Sequence, residues 1–292
     1  MSTNTLQTGN KLAPLQMADG RQLSLDHPLV MGIINITPDS FYDGGKYTNP
    51  KNAIEQVDKL LTEGADIIDI GAASTRPGAE LISPENELKR ILPVLDAVIT
   101  KHPHAIISID TFHSEVAEEC VNHGAAIIND ISGGTLDGKM IDTVAKLKVP
   151  YIIMHMQGSP QNMQIEPVYN NVVNEVYDFL ADRVKAARTA GIKQLVIDPG
   201  FGFGKTVEHN YLLLRNLSKF KELGLPILAG VSRKSMINKV LKTKPENALT
   251  GTIALNTLAL LQGANILRVH DVKEAKQVIK MVNQFLHPDT QV

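Results

Sequence analysis

Eight times over, this chain sets a short, mainly apolar run ahead of a longer segment with helical spacing. A chain of that kind has few ways to bury itself. The runs are 29–35, 65–71, 105–110, 125–130, 150–155, 194–198, 226–230 and 266–269. They do not alternate polar with apolar, as a half-exposed strand would. Continuous apolar runs belong to parallel strands covered on both faces. The segments between them repeat at the helical period: in 50–63, Ala53, Ile54, Val57, Leu60 and Leu61 mark one face. Gly64 stops that helix, and Ser83 suits the N-cap of the next, over 84–100. Further helices are expected over 114–122, 139–147, 169–190, 209–223, 234–241, 246–262 and 272–286. Eight β-then-α units in about 260 residues predict an α/β chain folded as a (β/α)8 TIM barrel. A doubly wound open sheet is the alternative.

Ahead of the first unit, Met17-Ala18-Asp19-Gly20 is a hairpin turn signal. Residues 1–10 are polar and read as a disordered tail, 11–28 as an N-terminal β-hairpin, and 29–287 as the barrel. The formal net charge of -2, with acids and bases interspersed, speaks against a surface for nucleic acid or membrane. No apolar run reaches the ~18 residues of a membrane span. The single cysteine, Cys120, suits a reducing compartment and reads as a small core residue, so a cytoplasmic location is expected.

Barrels of this kind carry their chemistry at the C-terminal ends of the strands. There the apolar runs finish in polar groups. The first ends in Asn35, followed by Thr37-Pro38-Asp39-Ser40-Phe41. The second ends in Gly71, followed by Ser74-Thr75-Arg76-Pro77-Gly78. Asp110, Asn129-Asp130, Met154-His155 and Asp198 close the next four. Gly230 precedes Ser232-Arg233-Lys234-Ser235, and Arg268 precedes His270-Asp271. Taken singly, Asp110 and Asn129 also suit helix N-caps, and Arg76, Lys234, Arg268 and His270 suit solvated loops. Together they form two complementary sets. Asp110, Asn129, Asp198 and Lys234 offer acceptors and donors for a flat, nitrogen-rich ring, where one carboxylate can take two ring N–H groups. Arg76, Arg268 and His270 are candidate cations for phosphate. Asn35 offers a neutral oxygen, which suits Mg²⁺ already bound to a diphosphate. Asp69, inside the second strand, reads as a partner holding another polar group, and His155 as a core histidine.

The stretch Asp198-Pro199-Gly200-Phe201-Gly202-Phe203-Gly204-Lys205-Thr206 is not a P-loop, because Pro199 stands where the first glycine is needed. It is not the dinucleotide fingerprint either, because Lys205 stands at its last glycine. A carboxylate, a pliable glycine loop and two flat rings make a floor for a planar ligand.

These motifs, in this order and spacing, resemble the dihydropteroate synthases, the folate-pathway enzymes targeted by sulfonamides. The resemblance implies a transferase that joins 6-hydroxymethyl-7,8-dihydropterin diphosphate to p-aminobenzoate on a TIM barrel, with Mg²⁺, commonly as a homodimer. Carried over by motif, Asp110, Asn129, Asp198 and Lys234 hold the pterin, with Ile131, Met154, Phe203 and Gly230 around it. Asn35 contacts Mg²⁺ and diphosphate, and Thr75, Arg76, Arg268 and His270 the diphosphate. Phe41, Thr75, Arg76, Pro77, Phe203, Lys234 and Ser235 shape the p-aminobenzoate site. Asp39, Arg76, Lys234 and Asn35 are the residues expected to bear on catalysis. The arylamine is already a nucleophile, so the absence of a Ser–His pair fits, and a dissociative route through a pterin cation is expected. Sulfonamides are expected to compete with p-aminobenzoate. Two rivals are a pterin-binding methyltransferase barrel and a non-catalytic pterin-binding protein. The Thr75-Arg76-Pro77 and Ser232-Arg233-Lys234-Ser235 motifs, with Arg268 and His270, favour the synthase.

Overall fold

The computed structural model describes residues 12–36, 50–72, 82–159, 163 and 167–289. The expected tail over 1–10 and the site candidates Asp39, Phe41, Thr75, Arg76 and Pro77 lie outside the described residues. Two short strands, β1 (Leu15–Gln16) and β2 (Gln22–Leu23), form an antiparallel hairpin pairing Leu15 with Leu23. Eight further strands follow: β3 (Leu29–Asn35), β4 (Ile67–Gly71), β5 (Ile107–Asp110), β6 (Ile127–Asp130), β7 (Tyr151–Met154), β8 (Leu195–Asp198), β9 (Leu228–Ala229) and β10 (Ile266–Val269). Their helices are α1 (Pro50–Thr62), α2 (Pro84–Lys101), α3 (Ser114–Asn122), α4 (Met140–Leu147), α5 (Val172–Thr189), α6 (Val207–Arg215), α7 (Ser235–Leu241), α8 (Leu249–Leu261) and α9 (Val272–Leu286).

The eight strands pair in parallel in the order β8-β7-β6-β5-β4-β3-β10-β9. A parallel bridge between Ile197 and Ile227 brings the two ends together, with Ile197 N–H donating to the Pro226 carbonyl at 3.0 Å. That near-closed ring is the expected TIM barrel, and the open doubly wound sheet is set aside. Strand period two sorts the side chains. Met31, Ile67, Ile127, Ile152, Val196, Leu228 and Ile266 fill the inside of the barrel together with Leu15, Met17 and Leu25 of the hairpin region. The hairpin therefore plugs the N-terminal end, and Arg21 ties it there through the Ala105 carbonyl at 2.7 Å. Residues of opposite parity, such as Val30, Ile68, Ile70, Ile107 and Ile109, face the helices and join Val57, Leu60, Ile91 and Val116 in the outer core. Each such side chain, fully buried, contributes about 1.5–3 kcal/mol. Cys120 is one of them, at 0% exposure.

Local chemistry sets the ends. Ser83 caps α2 by accepting from the Asn86 N–H, and Thr206 and His209 form a reciprocal box at the start of α6. Several expected elements are shorter by one to three residues at an end, and three differ for a local reason. The strand over 226–230 pairs as β9 only over Leu228–Ala229, because Pro226 has no N–H to give a ladder. The helix over 209–223 breaks at Asn216, whose side-chain amide donates to the Leu212 carbonyl and competes with the backbone; a 3-10 turn, Leu217–Leu223, follows. Pro245–Asn247 is likewise a 3-10 turn ahead of α8.

Candidate active site

Strand register brings the polar residues to one level. Asn35 pairs with Gly71, Gly71 with Asp110, and Asp110 with Asn129, so four neighbouring strands end in one rung. Asp69 lies two residues below Gly71 and so points into the barrel. Its Oδ2 accepts from Arg268 Nε at 2.6 Å and from Asn129 Nδ2 at 3.1 Å. Arg268 also donates from its second nitrogen to Asp110 Oδ2 at 2.6 Å. Asp110 and Asn129 are thus engaged across the barrel and do not cap helices; the Ser114 N–H at the start of α3 is taken by Asp137 instead.

The charges in this network are shifted by burial. The Asp110 carboxyl is lifted to about 7 by desolvation, with Arg268 opposing and Asp69, Glu87 and Asp130 adding to the rise. Burial works against the Arg268 charge, yet Asp69 and Asp110 hold it above its ordinary range. Asp198 is raised by desolvation, with Lys234 and the Gly200 N–H opposing. That N–H donates to Asp198 Oδ1 at 2.7 Å. Lys234 is brought down to about 8 by desolvation, Asp198 opposing. Its Nζ donates to the Phe201 carbonyl and stands 4.8 Å from the centre of the Phe203 ring. Gly230 lies beside both side chains: a Cβ there would stand in ordinary contact, 3.6 Å from Lys234 Nζ and 3.9 Å from Arg268 Cβ.

At His270, burial with Arg233 and Arg268 close by lowers the pKa to about 3, which favours the neutral imidazole over the expected cation. Its Nδ1 meets Ser232 Oγ at 3.1 Å, and Ser232 Oγ also accepts from the His270 N–H at 3.2 Å. Beside it, Arg233 pairs through two nitrogens with Asp271, joining the loops after β9 and β10. Arg233 holds φ +56°, a left-handed backbone rare outside glycine. Ser235 opens α7 and is exposed.

Above the polar rung sits an apolar wall of Phe112, Ile131, Met154, Met156 and Met163, with Phe203 packed against it. Ile131, Met154 and Phe203 were expected; Phe112, Met156 and Met163 were not. Spacing held the clue: Phe112 follows Asp110 by two, and Met156 follows Met154 by two. Asp130 does more than end a strand. It shapes the turn carrying Ile131, accepting from Ser132 N–H and Oγ, Gly134 N–H and Tyr151 Oη at 2.6–2.8 Å. His155 is buried, as expected.

The mouth therefore offers hydrogen-bonding oxygens, two cations and a flat apolar wall to one planar ligand. Asp110 and Asp198 each commit one oxygen to the protein, and Asn129 commits its amide nitrogen. Among the described residues no group of three or more His, Cys, Asp or Glu could hold a metal. Asn35, half-buried at the end of β3, supplies one neutral oxygen. That donor set fits Mg²⁺ carried on a diphosphate and not one caged by protein.

A family model described as pterin binding enzyme matches residues 31–270. The dihydropteroate synthase of Escherichia coli (strain K12) is 44% identical over 271 residues, 92% of this chain and 95% of its own. That of Haemophilus influenzae is 46% identical over 266 residues, 90% and 96% of the two chains. Among solved structures, the Yersinia pestis dihydropteroate synthase in a sulfonamide drug complex superposes with a TM-score of 0.90 at 40% identity, covering 94% of this chain and 99% of that one. The Xanthomonas albilineans enzyme with 4-aminobenzoic acid gives a TM-score of 0.87 at 42% identity, covering 94% and 98%.

Proposed function

The chain belongs to the dihydropteroate synthases, within the pterin-binding enzymes, and from that premise we infer how its barrel mouth works. As a transferase of that family it condenses 6-hydroxymethyl-7,8-dihydropterin diphosphate with p-aminobenzoate and releases diphosphate. The observation that carries the residue assignment is the meeting of Asp110, Asn129, Asp198 and Lys234 beneath one apolar wall.

The pterin ring lies against Ile131, Met154 and Phe203. Its N–H groups face Asp198 and Asp110, and the Asn129 oxygen takes a further ring donor. Lys234, over Phe203, donates to the electron-rich edge of the ring. Gly230 lies beside Lys234. The diphosphate points toward Asn35, Arg268 and His270, the last as a neutral hydrogen-bonding group. Asn35 would help hold Mg²⁺ on the diphosphate, and the ion would supply charge neutralisation for the leaving group. Arg268 shares its charge with two carboxylates, so its contribution is a fixed, pre-aimed donor. The resulting cation spreads over the dihydropterin ring, and the arylamine adds to the exocyclic carbon. Phe203, Lys234 and Ser235 form the near side of the p-aminobenzoate site. The family resemblance assigns Asp39, Phe41, Thr75, Arg76 and Pro77, outside the described residues, to the same site.

Sulfonamides take the p-aminobenzoate place, as the Yersinia pestis complex suggests by analogy. The enzyme acts as a homodimer in the cytoplasm. Support for the dimer comes from α8 and α9, which expose Leu258, Leu261, Met281 and Phe285 at 42–73%. No described helix is long and apolar enough to cross a membrane.

The test is a turnover assay with pterin diphosphate, p-aminobenzoate and Mg²⁺, following diphosphate. Release that depends on p-aminobenzoate and yields dihydropteroate is expected. Methyl transfer from a folate donor, or pterin binding without release, would replace this reading by one of its rivals.

A further inference from the structure

Lys205 is a buried amine for which the reaction above has no use; burial holds its pKa well below the ordinary lysine range, with Asp198 opposing. It is 3% exposed. Its Nζ donates to the Gly200 carbonyl at 2.8 Å and the Phe203 carbonyl at 2.9 Å, and meets His155 Nδ1 at 2.9 Å, with the His155 carbonyl at 3.4 Å. The three shorter contacts match the three N–H donors of its ammonium form. The acceptors belong to two separate pieces of chain: the glycine loop after β8 and the end of β7. Taking an ammonium out of water is tolerated where its donors are satisfied in this way.

The glycines reveal what Lys205 holds down. At Gly200, φ +71°, a Cβ would sit 1.9 Å from the His155 carbonyl oxygen, and at Gly204, φ +62°, 2.5 Å from that of Gln157. The loop is pressed main chain to main chain against 155–157. Asn210 Oδ1 takes the Gly202 N–H at 2.7 Å, and Tyr169 Oη donates to the Gly204 carbonyl at 2.8 Å. From this base the loop offers the Phe201 carbonyl and the Phe203 ring to Lys234. Gly202 lies under the Lys234 stem, where a Cβ would stand 3.2 Å from Cδ. Two lysines thus share one loop, Lys205 beneath it and Lys234 above.

We propose that Lys205 is a positioning residue that locks the Gly200–Gly204 loop, and through its Phe201 carbonyl and Phe203 ring sets where Lys234 stands to receive the pterin. This rests on the reading that Lys234 and Phe203 contact the pterin. The groups facing Lys234 are Asp198 from β8, Asp110 from β5 and Arg268 from β10, with Lys205 below. Lys205→Met removes the pin and leaves the other three in place.

Two measurements on Lys205→Met and wild type test the inference: calorimetric affinity for 6-hydroxymethylpterin, and the Lys234 titration followed by NMR. Affinity is expected to fall tenfold or more, and the Lys234 titration to move up from about 8 toward the ordinary lysine range as water reaches it. An unchanged Lys234 titration in the folded variant overturns the inference, and so does unchanged affinity where the wild type binds. Wild-type protein that fails to bind pterin refutes the functional reading instead, and the titration, which needs no ligand, still judges Lys205. Should Lys205→Met not fold, Lys205→Gln, which keeps two donors, carries the same two readouts.

Discussion

Arg268 Nε stands 2.6 Å from Asp69 Oδ2, joining residues 199 positions apart and strands β10 and β4, which are not neighbours in the sheet. With Asp110 on β5 and Asn129 on β6 drawn into the same group, one guanidinium and one carboxylate tie four strand ends together. Asp69 is 0% exposed, so its removal strands a cation and an amide in the interior. Breaking a buried pair from one side costs about 3–5 kcal/mol. Asp69→Ala is expected to lose that much in urea unfolding and to lose pterin affinity with it. A loss under about 1 kcal/mol would mean that Asp110 alone satisfies Arg268.

Gly200 and Gly20 separate backbone strain from steric exclusion. Both have positive φ, +71° and +89°, but only Gly200 faces another main chain; a Cβ at Gly20 meets nothing within 4 Å. Gly20→Ala should cost about 1–2 kcal/mol, the left-handed penalty alone. Gly200→Ala must also push the loop off the His155 carbonyl, and is expected to cost at least twice as much and to remove most activity. Equal unfolding midpoints for the two variants would contradict this.

These cases mark what could be read before the fold was known. Run length, continuous apolarity and helical spacing are local properties, and they predict the eightfold order of elements and most of their ends. The polar rung was readable for a related reason. In a parallel barrel, strand ends share one face, so Asp110, Asn129, Asp198 and Arg268 meet without any knowledge of contacts. Partnership was not readable. Nothing local to His270 says that Arg233 and Arg268 stand near enough to keep it neutral. Nothing local to Lys205 says that its partners include a histidine ring 50 residues away. Asn216 breaks a helix that its neighbours would continue, because its amide finds the Leu212 carbonyl. Long-range pairing and side-chain competition both depend on the folded geometry.

His155 predicts an acid dependence. An unfolded histidine protonates near 6.5, whereas buried His155 holds out to about 2, desolvated and facing Lys205. Below pH 6.5 the unfolded chain gains a proton that the folded chain refuses. Stability tied to the neutral ring is full above that pH and falls by about 1.4 kcal/mol per unit as the pH drops. Asp110, raised to about 7, acts oppositely, since its folded form binds the proton first. The difference between wild type and His155→Asn isolates the histidine. From pH 6 to pH 4 the variant is expected to gain on wild type by roughly 1.4 kcal/mol per unit; parallel pH profiles would show that His155 protonates alike in both states.

The apolar face of α8 and α9 gives a prediction about assembly. Met281 and Phe285 are each 73% exposed, one turn apart on α9, and line one groove with Ile253 and Leu261 of α8. An isologous contact would cover the patch on both copies at once. Wild type should sediment as a dimer, and Met281→Glu with Phe285→Glu as a monomer with an unchanged circular dichroism spectrum. A doubly substituted protein that still sediments as a dimer would move the interface elsewhere.

Lys234 joins binding, charge and pH in one side chain. It stands over the Phe203 ring, and the hydrogen bond it makes within the protein is to the Phe201 carbonyl. Little of the fold depends on it, so Lys234→Ala should unfold within about 1 kcal/mol of wild type. A charged hydrogen bond to the ligand is worth about 1.5–3 kcal/mol, which corresponds to a roughly 10- to 150-fold loss in kcat/KM for the pterin substrate. Because desolvation brings Lys234 down to about 8, its cation is present below that pH and lost above it. Wild-type kcat/KM should therefore decline above pH 8. Lys234→Arg, whose guanidinium stays charged, should lose that decline even if its overall rate is lower. Steady-state kinetics from pH 6 to pH 10 on the three proteins decide the matter. A wild-type rate in Lys234→Ala would take the residue out of the site, and an alkaline decline kept in Lys234→Arg would assign the titration to another group.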